Sequence, residues 1–262
     1  MMRFHKYHGA GNDFLLFDGR SELPFALDDH ELIAQLCRRR FGVGADGVMV
    51  LTLSQGYDFE MHYFNADGYS GSMCGNGGRC IVAFAQALGL RPADPNGMYS
   101  FLAVDGPHRA IITADGQVEL EMQAVSSIEH IGKDCVLDTG SPHYIQWVSD
   151  VDGLDVFTAG RNIRYAATYA AQGINVNFVQ RLADDELMIR TYERGVEAET
   201  YACGTGVTAA AIAQIEDRSA GDYVVNVAAK GGDLSVRLHW DGESATDIWL
   251  IGPAQQVFSG DI

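Results

Sequence analysis

Apolar and polar residues alternate along positions 57–63 (YDFEMHY) and again along 186–193 (ELMIRTYE). A period of two sets one face of a strand on a core and the other in water. Two stretches carry the longer period of a helix. Residues 29–40 start polar, place Leu32, Ile33 and Leu36 on one face, end on basic residues and meet Gly42 just beyond. Residues 76–88 stack Ile81, Phe84 and Leu88 in a stripe and stop at Gly89.

The pattern then repeats. In the first half, a strand at 58–64 leads through a polar loop to Cys74-Gly-Asn-Gly and an apolar helix. Strand-like runs follow at 99–104, 109–113 and 117–122, with turns at Gly106 and Gly116. In the second half, a strand at 186–192 leads through a polar loop to Cys203-Gly-Thr-Gly and an Ala-rich helix reaching Gln214. Runs at 223–228, 234–240 and 247–251 follow, with turns at Gly231-Gly232 and Asp241-Gly242. The order predicts an α+β fold of two pseudo-symmetric domains, each a curled, mostly antiparallel, barrel-like sheet around a central helix. The first domain is expected over residues 1–122 with the last strand, 253–262, and the second over 123–252.

Composition narrows the function. The 262 residues are 47% hydrophobic and 20% charged, as in ordinary globular proteins, and carry a net charge of −17. A surface so acidic repels phosphate backbones, which argues against nucleic acid. No stretch has the length and apolarity of a membrane helix, and residues 1–14 lack the apolar core of an export signal, so a cytoplasmic protein is expected. Five cysteines, an odd number, argue against a disulfide framework. Neither C-x-x-C nor H-E-x-x-H is present, and the spacing of Cys74 and Cys80 suits neither a redox pair nor a zinc knuckle, so no metal is expected. Residues 42–47 (GVGADG) spell G-x-G-x-x-G, but a helix precedes them and the β-like run 48–51 follows. A dinucleotide-binding turn needs the reverse order.

The chemistry concentrates at the two C-G-x-G sites. The first amides of a helix favour negative charge, and glycine lets a ligand approach them closely. A thiol there is shifted toward thiolate, and a carboxylate can be held by the same amides. Two such sites acting on one α-carbon could invert it, one thiolate removing a proton and the other thiol returning one to the opposite face. Cys37, Cys80 and Cys135 read as buried core residues.

Several motifs in one order are similar to those of the diaminopimelate epimerase family, over essentially the whole chain: HGAGNDF at 8–14, FGVGAD at 41–46, FNADG at 64–68, MCGNGGRC at 73–80, GSPH at 140–143, NVNF at 175–178, ERGV at 193–196 and CGTG at 203–206. The resemblance implies epimerisation of LL-diaminopimelate to meso-diaminopimelate, a precursor of lysine and peptidoglycan, with no cofactor and no metal. It implies that Cys74 and Cys203 are the acid–base pair and that His143 and Glu193 bind the reacting amino group and assist the thiols. Gly75, Asn76, Gly204 and Thr205 would hold the reacting carboxylate. Asn12, Asn65, Asn175 and Arg194 would hold the substrate, chiefly its distal end. A homodimer, with the last strand helping to form the contact, is also implied. Ser141 stands where the family usually has asparagine, and the loop from Glu193 to Cys203 is one residue longer than its commonest form. The competing readings are another pyridoxal-free racemase of the same fold, acting on proline, hydroxyproline or histidine, and a non-catalytic amino-acid-binding relative.

Overall fold

The computed structural model describes residues 2–71 and 73–262. Contacts divide the chain into one unit of Met1–Leu120 with Pro253–Ile262, and a second of Glu121–Gly252.

The first unit runs β1 (Arg3–Gly9), β2 (Asn12–Asp18), α1 (His30–Cys37), β3 (Gly47–Thr52), β4 (Phe59–Asn65), α2 (Gly75–Ala87), β5 (Met98–Ala103), β6 (Gly106–Ile112) and β7 (Val118–Met122). β1–β2, β3–β4, β5–β6 and β6–β7 pair antiparallel, whereas β2–β3 and β4–β5 pair parallel. The two parallel pairs are the ones bridged by helices, because a parallel neighbour needs a long crossover. The final strand of the chain, Gln255–Asp261, lies antiparallel against β1.

The second unit repeats this order. It runs β8 (Glu129–Ile131), β9 (Asp134–Asp138), β10 (Pro142–Trp147), α3 (Val156–Arg164), β11 (Asn175–Ala183), β12 (Glu186–Glu193), β13 (Ala198–Thr200), α4 (Gly204–Ile215), β14 (Gly221–Ala229), β15 (Gly232–Trp240) and β16 (Ala245–Gly252), before the last strand, β17. Along β9-β10-β11-β12-β14-β15-β16 the pairings are antiparallel, parallel, antiparallel, parallel, antiparallel and antiparallel, matching β1 to β7 pair for pair. The fold class is therefore α+β, with a curled, mostly antiparallel sheet around a helix in each unit.

The central helices are short and small-sided for a reason. α2 is buried from Gly75 through Val82 and again at Phe84 and Ala85. Only Thr205 and Gln214 escape burial along α4, whose sequence GTGVTAAAIAQI lets the sheet close in on every side. A helix apolar all round belongs inside a core. α1 differs from expectation at its C-terminus. It is capped by Asp29, whose side chain accepts from Leu32 N at 3.1 Å, but it ends at Cys37, so the basic residues 38–40 follow it rather than form its last turn.

Candidate active site

Each unit places one cysteine at the same backbone position. Cys74 is the N-cap of α2 with φ −115° and ψ 119°, and Cys203 is the N-cap of α4 with φ −115° and ψ 109°. An N-cap side chain usually turns back to bond the helix amides. Neither sulfur does so. The first helical bonds run from Gly78 N to Cys74 O at 2.7 Å and from Val207 N to Cys203 O at 2.9 Å, so the amides of each first turn face out of the helix beside the thiol. The other cysteines are unlike these two. None of the three caps a helix, and although Cys203 is buried too, it is the burial of Cys37, Cys80 and Cys135 that pushes their thiols up, to about 12 for Cys37 and Cys135.

Around Cys74, the Asn12 amide is oriented by charge. Its Nδ2 donates to Asp46 Oδ2 at 2.7 Å, which turns Oδ1 toward Cys74 Sγ at 3.5 Å and Asn76 Nδ2 at 3.4 Å. Asp46 in turn is held by Arg39 at 2.8 Å. Asn76 is 1% exposed, and its Oδ1 accepts from the fully buried Arg79 at 3.0 Å, which also bonds Gly75 O at 3.2 Å. At Gly77 a Cβ would lie 2.2 Å from Met49 Cε, so a larger residue there would have to displace the end of that side chain. Asn65 ends β4 with its side chain exposed, and its carbonyl accepts from Gly68 N in the following turn.

Around Cys203, Sγ lies 3.4 Å from Thr205 Oγ1, which lies 2.9 Å from His143 Nε2. His143 is fully buried, and burial, aided by the Arg194 charge, holds its pKa down at about 3. Thr139 Oγ1 pins the first turn of α4 by donating to Thr205 O at 2.9 Å. Gly206 brings that turn close to β11, where a Cβ would fall 2.3 Å from Asn177 Oδ1. A second cluster joins Asn175, Arg194 and Ser141. Asn175 Oδ1 accepts from Arg194 N at 2.9 Å. Ser141 Oγ accepts from Asn175 Nδ2 at 2.9 Å and from Arg194 Nη2 at 3.1 Å. Glu193 ends β12, and the chain reverses through Gly195 at φ +89° and Glu197 at φ +57° before β13 folds back on β12.

The family model for diaminopimelate epimerase matches residues 4–128 and 135–257. The diaminopimelate epimerase of Flavobacterium psychrophilum is 41% identical over 261 residues, covering 100% of both chains. That of Chlorobaculum tepidum is 44% identical over 260 residues, covering 97% of this chain and 98% of its own. The chain belongs to the diaminopimelate epimerase family. It is thus an isomerase of the racemase and epimerase class. A solved structure of the phenazine biosynthesis protein, PhzF family, of Bacillus anthracis shares the fold at TM-score 0.73 and 14% identity, covering 100% of this chain and 98% of its own.

Among diaminopimelate epimerase motifs, the structure groups Asn12, Cys74, Gly75 and Asn76 at the start of α2. It groups His143, Cys203, Gly204 and Thr205 at the start of α4, with Asn175, Arg194 and Ser141 joined by hydrogen bonds. Arg194 has no carboxylate within ion-pair distance among the described residues, and Glu197 is taken by Arg164 at 3.3 Å. Sequence reasoning passed over Asp46, Arg79, Thr139 and Asn177. Asn177 did leave a signal: in NVNF it shares a strand face with Asn175, and both are buried.

Proposed function

We propose that the protein epimerises LL-diaminopimelate to meso-diaminopimelate without pyridoxal, using Cys74 and Cys203 as the acid–base pair. The observation that carries this is the matched N-cap placement of the two cysteines, each with its sulfur left out of capping, at the starts of duplicated helices.

In this reading the amides of Gly75 and Asn76, and of Gly204 and Thr205, hold the reacting carboxylate. One thiolate takes the α-proton, the helix starts stabilise the charge that spreads into the carboxylate, and the other thiol protonates the opposite face. The thiols exchange roles with direction. Glu193 receives the amino group, and His143 assists Cys203 through Thr205. Asn12, Asn65, Asn175 and Arg194 hold the rest of the substrate, Arg194 taking the distal carboxylate. The same reading makes the protein a cytoplasmic homodimer that supplies lysine and peptidoglycan synthesis.

Incubating the purified protein with LL-diaminopimelate in D₂O and following the α-position by NMR tests it. Deuterium should enter with inversion, without added pyridoxal phosphate. Cys74→Ser or Cys203→Ser should remove nearly all of it, since a serine hydroxyl is a far weaker base than a thiolate. Full turnover in either variant refutes the two-thiol mechanism.

A further inference from the structure

Asn177 is 0% exposed, and its amide has one possible orientation. One end lies 3.2 Å from the Tyr144 carbonyl oxygen, which can only accept, so that end is Nδ2. The opposite end, Oδ1, accepts the Thr191 hydroxyl at 2.9 Å. The second hydrogen of Nδ2 is then directed at His143 Nδ1, 3.0 Å away. Nδ1 is therefore an acceptor carrying no hydrogen. Full burial keeps the ring neutral, so its single hydrogen sits on Nε2. Nε2–H donates to Thr205 Oγ1 at 2.9 Å. With His143 occupying an oxygen lone pair, the hydroxyl hydrogen of Thr205 is available to Cys203 Sγ at 3.4 Å.

We infer that Asn177 is a positioning residue for Cys203: it fixes His143 as the Nε2–H tautomer, and His143 in turn aims the Thr205 hydroxyl at the sulfur, stabilising the thiolate. The inference rests on Cys203 being an acid–base thiol. It gives His143 a definite part as a neutral hydrogen-bond donor, with Arg194 the charged group acting on it. The relay costs no charge in the core, because every member is neutral and each donor meets an acceptor. Gly206 makes it possible, since a Cβ there would fall 2.3 Å from Asn177 Oδ1 and 3.3 Å from His143 Cε1.

Two measurements test the relay, and neither depends on turnover. The first is ¹⁵N NMR of the His143 ring in the unaltered protein between about pH 5 and 8, the range in which an ordinary histidine titrates. The Nε2–H tautomer, unchanged across that range, is expected. An Nδ1–H tautomer or an imidazolium overturns the inference. The second is the pH profile of Cys203 alkylation by iodoacetamide in a Cys74→Ala background. Asn177→Asp, which replaces a donor to Nδ1 by an acceptor, and Thr205→Val should each raise the midpoint by about one pH unit or more, as expected when a hydrogen bond to the charged form is lost. Thr205→Ser should restore it. An unmoved midpoint in Thr205→Val overturns the relay. Loss of epimerisation with tautomer and midpoints as expected would count against the functional reading and leave the relay standing.

Discussion

Arg194 is exposed, yet its guanidinium is held in place by Ser141 Oγ and by Gln172 O at 3.3 Å. A guanidinium fixed by neutral acceptors keeps its charge available for a ligand, and its fork suits a carboxylate. If it grips the distal carboxylate of diaminopimelate, Arg194→Met should lower kcat/KM by about 100-fold, on the order of 3 kcal/mol, because that carboxylate loses its partner. An arginine with only a solvated role would cost under about 1 kcal/mol, so steady-state kinetics on the variant decide between them. At this scale the sequence speaks most clearly where a residue would act by its own chemistry. Cys74 and Cys203 were marked by C-G-x-G repeated in equivalent places, and Arg194 by ERGV. Ser141, standing where the family usually has asparagine, is in the fold the hydrogen-bond acceptor that joins Asn175 to Arg194. Asp46, Thr139 and Asn177 stayed hidden because each reaches the candidate site through a neighbour that only tertiary structure supplies.

Elements carry their own test at the start of the first unit. Asp13 on β2 pairs with the buried Lys6 on β1 and with Arg39 at 2.5 Å, and Lys6 also donates to Gly44 O. These contacts bind the β1–β2 hairpin to the segment after α1 that carries Asp46. Burial alone would raise the Asp13 carboxyl, but hydrogen bonds from Arg39 and Lys6 outweigh it and bring the pKa down to about 2. A carboxylate depressed by folding stabilises the native state above its unfolded pKa, and that contribution is lost as pH falls through the folded value. Denaturant midpoints of the native protein should therefore drop between about pH 4 and 2, in a step that Asp13→Asn lacks. The variant should also be weaker at neutral pH, on the order of 3 kcal/mol, because it leaves Lys6 buried without its carboxylate. An acid profile of the same shape in both proteins would contradict this assignment. α2 and α4 could be foreseen from their apolar runs and glycine starts. α3 could not: VFTAGRNIR puts Gly160 mid-helix, and the helix holds because Asp155 caps it at 3.1 Å and because Gly160 lets it press onto Tyr192, where a Cβ would sit 2.3 Å away. That packing has no trace in local periodicity.

For the whole molecule, the duplication made the α+β class legible, because two halves with the same order of strand, loop, cysteine and helix must solve the same packing problem. Which strands run parallel was not legible, since alternation reports burial and says nothing of the neighbour. The two-thiol mechanism adds a requirement of its own: both sulfurs must reach one α-carbon. Thiols that can do so in the presence of substrate should, in its absence, be open to joining. A disulfide demands Cα atoms about 4.4–6.8 Å apart, so only a pair that can approach that closely will form one. Mild oxidation should thus link Cys74 to Cys203 and abolish epimerisation, and a reductant should restore it. Competition from the other cysteines is small, since the thiols of Cys37, Cys80 and Cys135 are pushed well above their ordinary value. Peptide mapping of the oxidised protein reads the outcome directly. Inactive protein in which residues 74 and 203 both remain open to alkylation after denaturation would show that the two sulfurs do not converge, and would remove the shared-carbon mechanism with them.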